Sequence, residues 1–129
     1  MSDLLMDLVT YFVTNSLVTA DGTDIFRDTI PESPNDAVAI YEYPGHSPIA
    51  QIDGADRLVQ VVARSLSPTA AKTKARELYA SLGTTTGIIY LTPQRWCTIY
   101  VKQVPFKLKV DGNERVYYAF NVSFTTYVD

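Results

Sequence analysis

The fold of this chain is decided by the stretch Arg57-Leu58-Val59-Gln60-Val61-Val62-Ala63-Arg64-Ser65-Leu66-Ser67-Pro68, which predicts a strand leading directly into a helix. Residues 57–64 carry apolar side chains at both odd and even positions, which indicates a strand covered on both faces. Ser67 is a typical N-cap, and Pro68 suits the first helical position. The helix is predicted to end at Gly83, and its apolar stripe consists of Ala71, Ala75, Leu78 and Leu82.

The junction between this strand and this helix lacks the features of a catalytic or phosphate-binding turn. Residues 64–68 contain neither a glycine nor a histidine. Phosphate-binding turns and nucleophile elbows need glycines for close backbone approach, and a nucleophile also needs a base beside it. The junction therefore indicates how the chain folds and gives no sign of bond-making chemistry.

The remaining elements follow from periodicity and turn residues. Apolar residues at helical spacing predict a helix over residues 3–15, with Ser2 as its N-cap. Further extended segments are predicted over residues 37–43, 88–91, 96–103, 106–110 and 115–128, with a hairpin turn at Asp111-Gly112-Asn113. Residues 44–55 form a predicted loop that is long compared with ordinary connections, and long ordered loops usually bind something. Together these elements predict an α+β fold: a mainly antiparallel sheet of about four to five strands, with two helices packed on one face.

The last predicted strand alternates strictly between apolar and polar residues. Val116, Phe120 and Phe124 share one face, whereas Arg115 and Tyr117 belong to the other. A strand over residues 115–128 spans about 46 Å at ~3.3 Å per residue, which is longer than most globular strands. We expect this strand to extend past its own core.

Composition predicts a single domain over residues 1–129. A chain of 129 residues can bury a self-sufficient core, and its apolar runs are too short to cross a bilayer. Asp3 and Asp7 interrupt the first apolar stretch, so no signal peptide is expected. The net charge of −3 argues against a protein whose main task is to bind nucleic acid. Cys97 is the only cysteine, which rules out an internal disulfide and fits a reducing cytoplasm.

Candidate reactive residues are few, and no catalytic, metal or cofactor site is predicted. His46 is the only histidine and has no nucleophile or orienting partner in its sequence context. One Cys and one His cannot form a closed zinc site, so Cys97 is assigned to packing. The carboxylate pairs Asp21/Asp24 and Asp53/Asp56 are interpreted as turn residues. A minor alternative is a small enzyme or ligand-binding domain that uses residues 44–55 as a lid over His46 and Asp53.

The sequence places a basic group near the predicted hairpin. It consists of Lys102, Lys107, Lys109 and Arg115, with Tyr117 and Tyr127 as aromatic neighbours. Basic and aromatic side chains together can bind nucleic acid, but outward charges on a hairpin are more often solvated or protect a sheet edge. A contact with a neighbouring protein is the third interpretation.

Three sequence segments, taken with the order of the elements, resemble a known family. They are Tyr43-Pro44-Gly45-His46-Ser47-Pro48, Val59-Gln60-Val61-Val62-Ala63-Arg64 and Ala75-Arg76-Glu77-Leu78-Tyr79. Their order and spacing resemble the minor capsid and tail-terminator (tail completion) proteins of long-tailed bacteriophages, over about residues 3–128.

The resemblance implies a structural virion protein that is not an enzyme and needs no cofactor. Such a protein would form a ring, expected to be a hexamer, at the head-proximal end of the tail tube, where it ends tube polymerisation. Its partners would be copies of itself, the tail-tube protein and the head-completion connector; DNA would pass through without specific binding, and no membrane is involved. A head-completion or connector protein of the same virion neck is the alternative.

The resemblance also places the protein in the virion, at the head–tail junction, after assembly in the host cytoplasm. Taken with the loop and the basic group, it leads us to expect the contacts with copies or partners at Pro44, Gly45, His46, Ser47, Pro48, Lys107, Lys109 and Arg115.

Overall fold

A computed structural model describes residues 4–43, 55–83, 87–93, 95–101 and 103–126. Two helices and seven strands follow one another along the chain: α1 (Leu4–Thr14), β1 (Ile25–Arg27), β2 (Ala37–Tyr43), β3 (Ala55–Ser65), α2 (Pro68–Ser81), β4 (Gly87–Thr92), β5 (Arg95–Val101), β6 (Phe106–Val110) and β7 (Val116–Thr126). The predicted α+β class is confirmed.

The strands form one mixed sheet, which corrects the predicted sheet of about four to five mainly antiparallel strands. Seven strands take part, in the order β1-β2-β3-β7-β5-β4, with β6 also paired to β7. β1 and β2 are parallel, and every other described pair is antiparallel. β1 escaped prediction because its three residues are too short to show a period of two.

β7 is the central strand of the sheet. It pairs with β3 along its whole length, from Val116 opposite Ser65 to Thr126 opposite Ala55. On its other side β6 covers the first part of β7, and β5 covers the last part. β7 is thus paired with β3 over residues 116–126 and, on its other side, with β6 over 116–119 and β5 over 122–126. Contrary to expectation, the described part of the strand does not extend past its own sheet.

Both helices pack on one face of the sheet, as predicted. α2 contacts β3 and β7, whereas α1 contacts β4 and also β1 and β2, which lie at the opposite end of the strand order. The sheet therefore curves around α1. Between helices and sheet lies one large cluster of buried side chains, whose fully buried members include Leu4, Leu8, Phe12, Ile40, Val59, Leu78, Phe120, Val122 and Phe124.

The predicted ends of α2 are confirmed. The side chain of Ser67 accepts a hydrogen bond from the N–H of Ala70 at 3.2 Å, and Pro68 occupies the first turn. Gly83 follows the helix with a φ of 82°, a left-handed conformation that glycine adopts without strain. Local sequence thus fixes where β3 passes into α2.

The face of the sheet opposite the helices, called the outer face below, is partly covered by residues 28–36. Ile30 packs against a second buried cluster formed by Val62, Tyr117 and Ala119. The guanidinium of Arg64, which is 3% exposed, donates hydrogen bonds to the carbonyls of Pro34 and Asn35. Burial of Val59 and Val62 on opposite faces of β3 confirms the predicted two-sided cover.

Candidate assembly surfaces

One carboxylate fixes the turn between β6 and β7. Asp111 accepts hydrogen bonds from the N–H groups of Asn113 and Arg115 at 2.9 and 3.0 Å. It also accepts from Nε of Arg115 and from the hydroxyl of Tyr117, each at 2.8 Å. Arg115 in turn donates to the main-chain carbonyl of Glu32 and, at 3.2 Å, to its Oε1. We refer to Asp111, Arg115, Tyr117 and Glu32 as the Asp111 cluster, and it joins the turn to residues 28–36.

The hydrogen bonds of this cluster control its titration. Burial raises the pKa of the Asp111 carboxyl, but hydrogen bonds from Arg115, Tyr117 and Asn113 outweigh that effect, and the pKa falls to about 2. Burial lowers the pKa of the Arg115 guanidinium. The hydrogen bond with Asp111 and the charge of Asp111 raise that pKa by more than burial lowers it, so the net shift is upward. Both groups therefore stay ionised at neutral pH.

The residues expected to contact partners are placed very differently. Lys107 and Lys109 are exposed on β6. Arg115 is only 3% exposed, which corrects the expectation of an outward, solvated side chain, because its guanidinium binds Asp111 and Glu32 of the same chain. Pro44, Gly45, His46, Ser47 and Pro48 lie outside the described residues, and their role as a contact remains a prediction.

The basic group does not assemble into an aromatic platform for nucleic acid in the described part of the chain. Tyr117 is 5% exposed, and its ring lies 4.7 Å from Nζ of Lys109 and 5.8 Å from Cζ of Arg64. A buried ring cannot stack on a base. Lys102 and Tyr127 lie outside the described residues. The exposure of Lys107 and Lys109 fits solvated, edge-protecting side chains as well as a contact with a protein neighbour, and that contact remains a prediction.

Sequence reasoning did not predict the most exposed aromatic surface among the described residues. Four large side chains project from the outer face of the β4–β5 hairpin, with exposed fractions of 66% for Ile88, 60% for Tyr90, 44% for Trp96 and 53% for Tyr100. Tyr90 lies directly opposite Trp96 in the strand register. We call these four residues the hairpin patch. Leu91, Cys97 and Ile99 alternate with them along the same strands and are buried in the core, as predicted for Cys97.

Two sequence signals could have revealed the hairpin patch. Residues 83–101 contain one charged residue, Arg95, although 25 of the 129 residues of the chain are charged. In addition, β4 and β5 carry large apolar residues at both odd and even positions, as a strand does when both of its faces are covered. Among the residues that the structure describes, only the inner face of this hairpin is covered. An exposed apolar patch of this kind usually marks a contact with another protein.

Two cavities on the described surface are small. One of about 210 Å³ opens on the outer face beside Tyr41, Leu108 and Tyr117. Another of about 150 Å³ lies beside Asp36, Arg64 and Lys74. Pockets for small molecules usually measure ~300–1,000 Å³. His46 and Asp53 of the ligand-binding alternative lie outside the described residues.

Two kinds of feature are absent from the described part of the chain. It contains no group of three or more His, Cys, Asp or Glu side chains placed to hold a metal ion. It also contains no helix with the length and apolar character needed to span a membrane.

An exposed, nearly uncharged hairpin at the end of a sheet is typical of a protein that binds other proteins. Residues 12–128 match the family model described as bacteriophage tail terminator protein, and the chain belongs to that family. It is therefore a structural phage tail protein and a component of the virion. No curated protein matches the chain.

Proposed function

We propose that this protein forms a ring, expected to be a hexamer, on the head-proximal end of the tail tube. The ring ends tube polymerisation and offers its opposite surface to the head-completion connector. The observation that carries the proposal is the family match, which extends over residues 12–128. The net charge of −3 agrees with a channel through which DNA passes without binding.

The surface chemistry supports assembly with other proteins. The hairpin patch exposes Trp96 and two tyrosines, and these are residue types that contribute most of the binding energy in many interfaces. Burying such side chains against a neighbour removes apolar area from water at ~25 cal/mol per Å². A ring gives each copy two neighbours and so offers cover for this surface.

Addition of the purified protein to polymerising tail-tube protein tests the proposal. We expect shorter tubes that carry extra density at one end in electron micrographs, and no further growth from that end when fresh tail-tube protein is added. Growth that continues at the same rate in the presence of the protein, with bare tube ends, would contradict the proposal.

A second experiment with the purified protein distinguishes a tail terminator from a head-completion protein. Purified tubes and tail-less heads are incubated separately with the protein, sedimented and examined for bound chain. A terminator binds to tubes in the absence of heads. Binding to heads alone would assign the chain to the connector and remove the terminator role.

A further inference from the structure

We propose that two oppositely charged edges of this protein bind each other between neighbouring copies, head to tail. This contact deepens the ring function proposed above and rests on it. The first, called the basic edge, consists of Lys72, Arg76, Lys107 and Lys109. The second, called the acidic edge, consists of β1 and the charged residues beside it, Asp21, Asp24, Arg27 and Asp28.

The strand register places the two edges on opposite sides of one part of the sheet. Phe26 of β1 lies opposite Ala39, and the same row continues through Val62 and Ala119 to Phe106 of β6. In the described sheet, β1 and β6 are therefore the two outermost strands of a row of five. At ~4.8 Å between neighbouring strands they lie about 19 Å apart along the sheet.

The exposed side of α2 that carries Lys72 and Arg76 adjoins β6. These residues precede Tyr79 by seven and three positions, so all three share one side of the helix. The ring of Tyr79 packs edge-on against Phe120 of β7, the strand beside β6. With the two exposed lysines of β6, the basic edge holds four positive charges. Within the described part of the chain, none of the four forms an ion pair with a carboxylate across this edge.

The acidic edge keeps a net negative charge. Asp21 is paired with Arg27 at 3.1 Å. In the part of the chain that the structure describes, Asp24 and Asp28 instead accept hydrogen bonds from main-chain N–H groups. These donors carry no net charge, so the two carboxylates are not neutralised.

The same separation of charge runs along the sequence. Residues 20–36 contain five acidic residues and one basic residue, whereas residues 57–110 contain nine basic residues and one acidic residue. Both signs are usually interspersed over the surface of a protein that does not associate. Separated patches of opposite sign are typical of complementary binding surfaces.

Charge selects the pairing between two copies. Two basic edges repel each other, and so do two acidic edges, whereas a basic edge attracts an acidic one. Because the edges lie on opposite sides of the sheet, each copy offers one edge to each of two neighbours. Such a contact is head to tail and can close into a ring. It uses side chains and not strand addition, since the register shift between Lys107 and Lys109 protects the backbone of β6.

Mixing two charge-altered variants tests the contact. The basic-edge variant makes that edge acidic and carries Lys72→Glu, Arg76→Glu and Lys107→Glu. The acidic-edge variant makes the other edge basic and carries Thr23→Lys, Asp28→Asn and Thr29→Lys. Both threonines are exposed, and asparagine tolerates the left-handed φ of 60° at position 28.

Each variant alone should self-associate at least about tenfold more weakly than wild type, and an equimolar mixture should recover most of the association. Sedimentation velocity of the free protein and capping of tail tubes measure this. Recovery in the mixture also shows that both variants are folded. A mixture that associates no better than its components overturns the proposal.

Salt provides a second measurement on the unaltered chain. Raising sodium chloride from about 0.05 to 0.5 M screens charges and should weaken self-association by about tenfold or more. Association that is unchanged or stronger at high salt overturns the proposal. Thr10→Glu is the control, an exposed position on α1 outside both edges. If it weakens association as much as the basic-edge variant does, net charge and not the edges controls association, and the contact is wrong.

These results separate the contact from the ring function. If the wild-type protein caps tubes but the mixture of variants does not recover capping, the contact is wrong and the ring function stands. If the wild-type protein does not cap tubes, the ring function fails, and self-association of the free protein decides the contact. A wild-type chain that then stays monomeric at high concentration and low salt overturns it.

Discussion

Asp111 orders the β6–β7 turn because a single carboxylate receives hydrogen bonds from two N–H groups, the Arg115 guanidinium and the Tyr117 hydroxyl. These donors favour the ionised carboxylate and place its pKa at about 2. In the unfolded chain the pKa returns to its ordinary value of about 3.9. The folded-state pKa is the lower one, so the contribution to stability is present above about pH 4 and is lost as the pH falls toward 2.

Asp111→Asn should therefore lower the melting temperature at pH 7 by several degrees, because the amide cannot replace the charged acceptor beside Arg115. The difference from wild type should shrink as the pH is lowered from about 4 to 2, where the wild-type carboxylate itself becomes protonated. Thermal unfolding followed by circular dichroism across this range measures both effects. Glu114→Gln is the matched control, since its exposed carboxylate lies in the same turn. A difference that stays constant with pH would show that the charge of Asp111 does not stabilise the fold.

Glu114 holds the turn in a conformation that suits glycine. Its φ of 63° is left-handed, which costs a residue with a Cβ roughly 1–2 kcal/mol. Glycine removes this strain but gains freedom in the unfolded state, so Glu114→Gly should raise the free energy of unfolding by about 0.5–1 kcal/mol. Urea denaturation measures the change. Glu114→Ala removes the same carboxylate and keeps the strain, and it should give no such gain.

At the scale of whole elements, α2 depends on the cap at its N-terminus. Ser67→Ala removes the acceptor for the N–H of Ala70 and should cost about 1 kcal/mol. Ser67→Asp keeps an acceptor and adds a negative charge at a helix whose first turn has no acidic residue, so its stability should equal or exceed that of wild type. Chemical denaturation of both variants checks the cap, and equal losses in the two would contradict it.

Sequence reasoning located most elements because their signals are local. The cap at Ser67, the left-handed Gly83 and the turn after Val110 depend on residues that are neighbours in the chain, and each lies where it was predicted. The topology of the sheet was harder to predict from the sequence. The parallel pairing of β1 with β2 depends on how residues 28–36 cross the outer face, and that path is held by Arg64, which lies far along the sequence.

The same distinction explains why the burial of Arg115 and the exposure of the hairpin patch were not predicted. Sequence shows that Arg115 is charged, but its burial depends on Glu32, which lies 83 positions away. The exposure of Trp96 and Tyr90 likewise depends on β4 being the last strand of the sheet, and no local pattern specifies a strand's position in a sheet. The low charge of residues 83–101 indicates an exposed apolar surface only once β4 is known to be the last strand of the sheet.

At the scale of the whole molecule, α1 joins the two ends of the curved sheet. It contacts β1 and β2 at one end and β4 at the other, so the β4–β5 hairpin shares its core with the opposite edge. Leu91 and Cys97 on the inner face of the hairpin belong to the same buried cluster as Phe12 of α1. The outer surface that presents the hairpin patch is therefore held in place by packing against α1, and loss of that packing should disturb the whole sheet.

Phe12→Ala tests this dependence. Phe12 is fully buried, and removal of its ring should lower the free energy of unfolding by about 3–5 kcal/mol. Fluorescence of Trp96, the single tryptophan of the chain, reports on the hairpin, and far-ultraviolet circular dichroism reports on the whole fold. If α1 links the two ends, both signals should shift to the same lower denaturant concentration in one cooperative transition. Thr10→Ala, an exposed change on the same helix, should leave both near wild type. A Trp96 transition that keeps its wild-type midpoint while the dichroism shifts would show that the hairpin folds independently of α1.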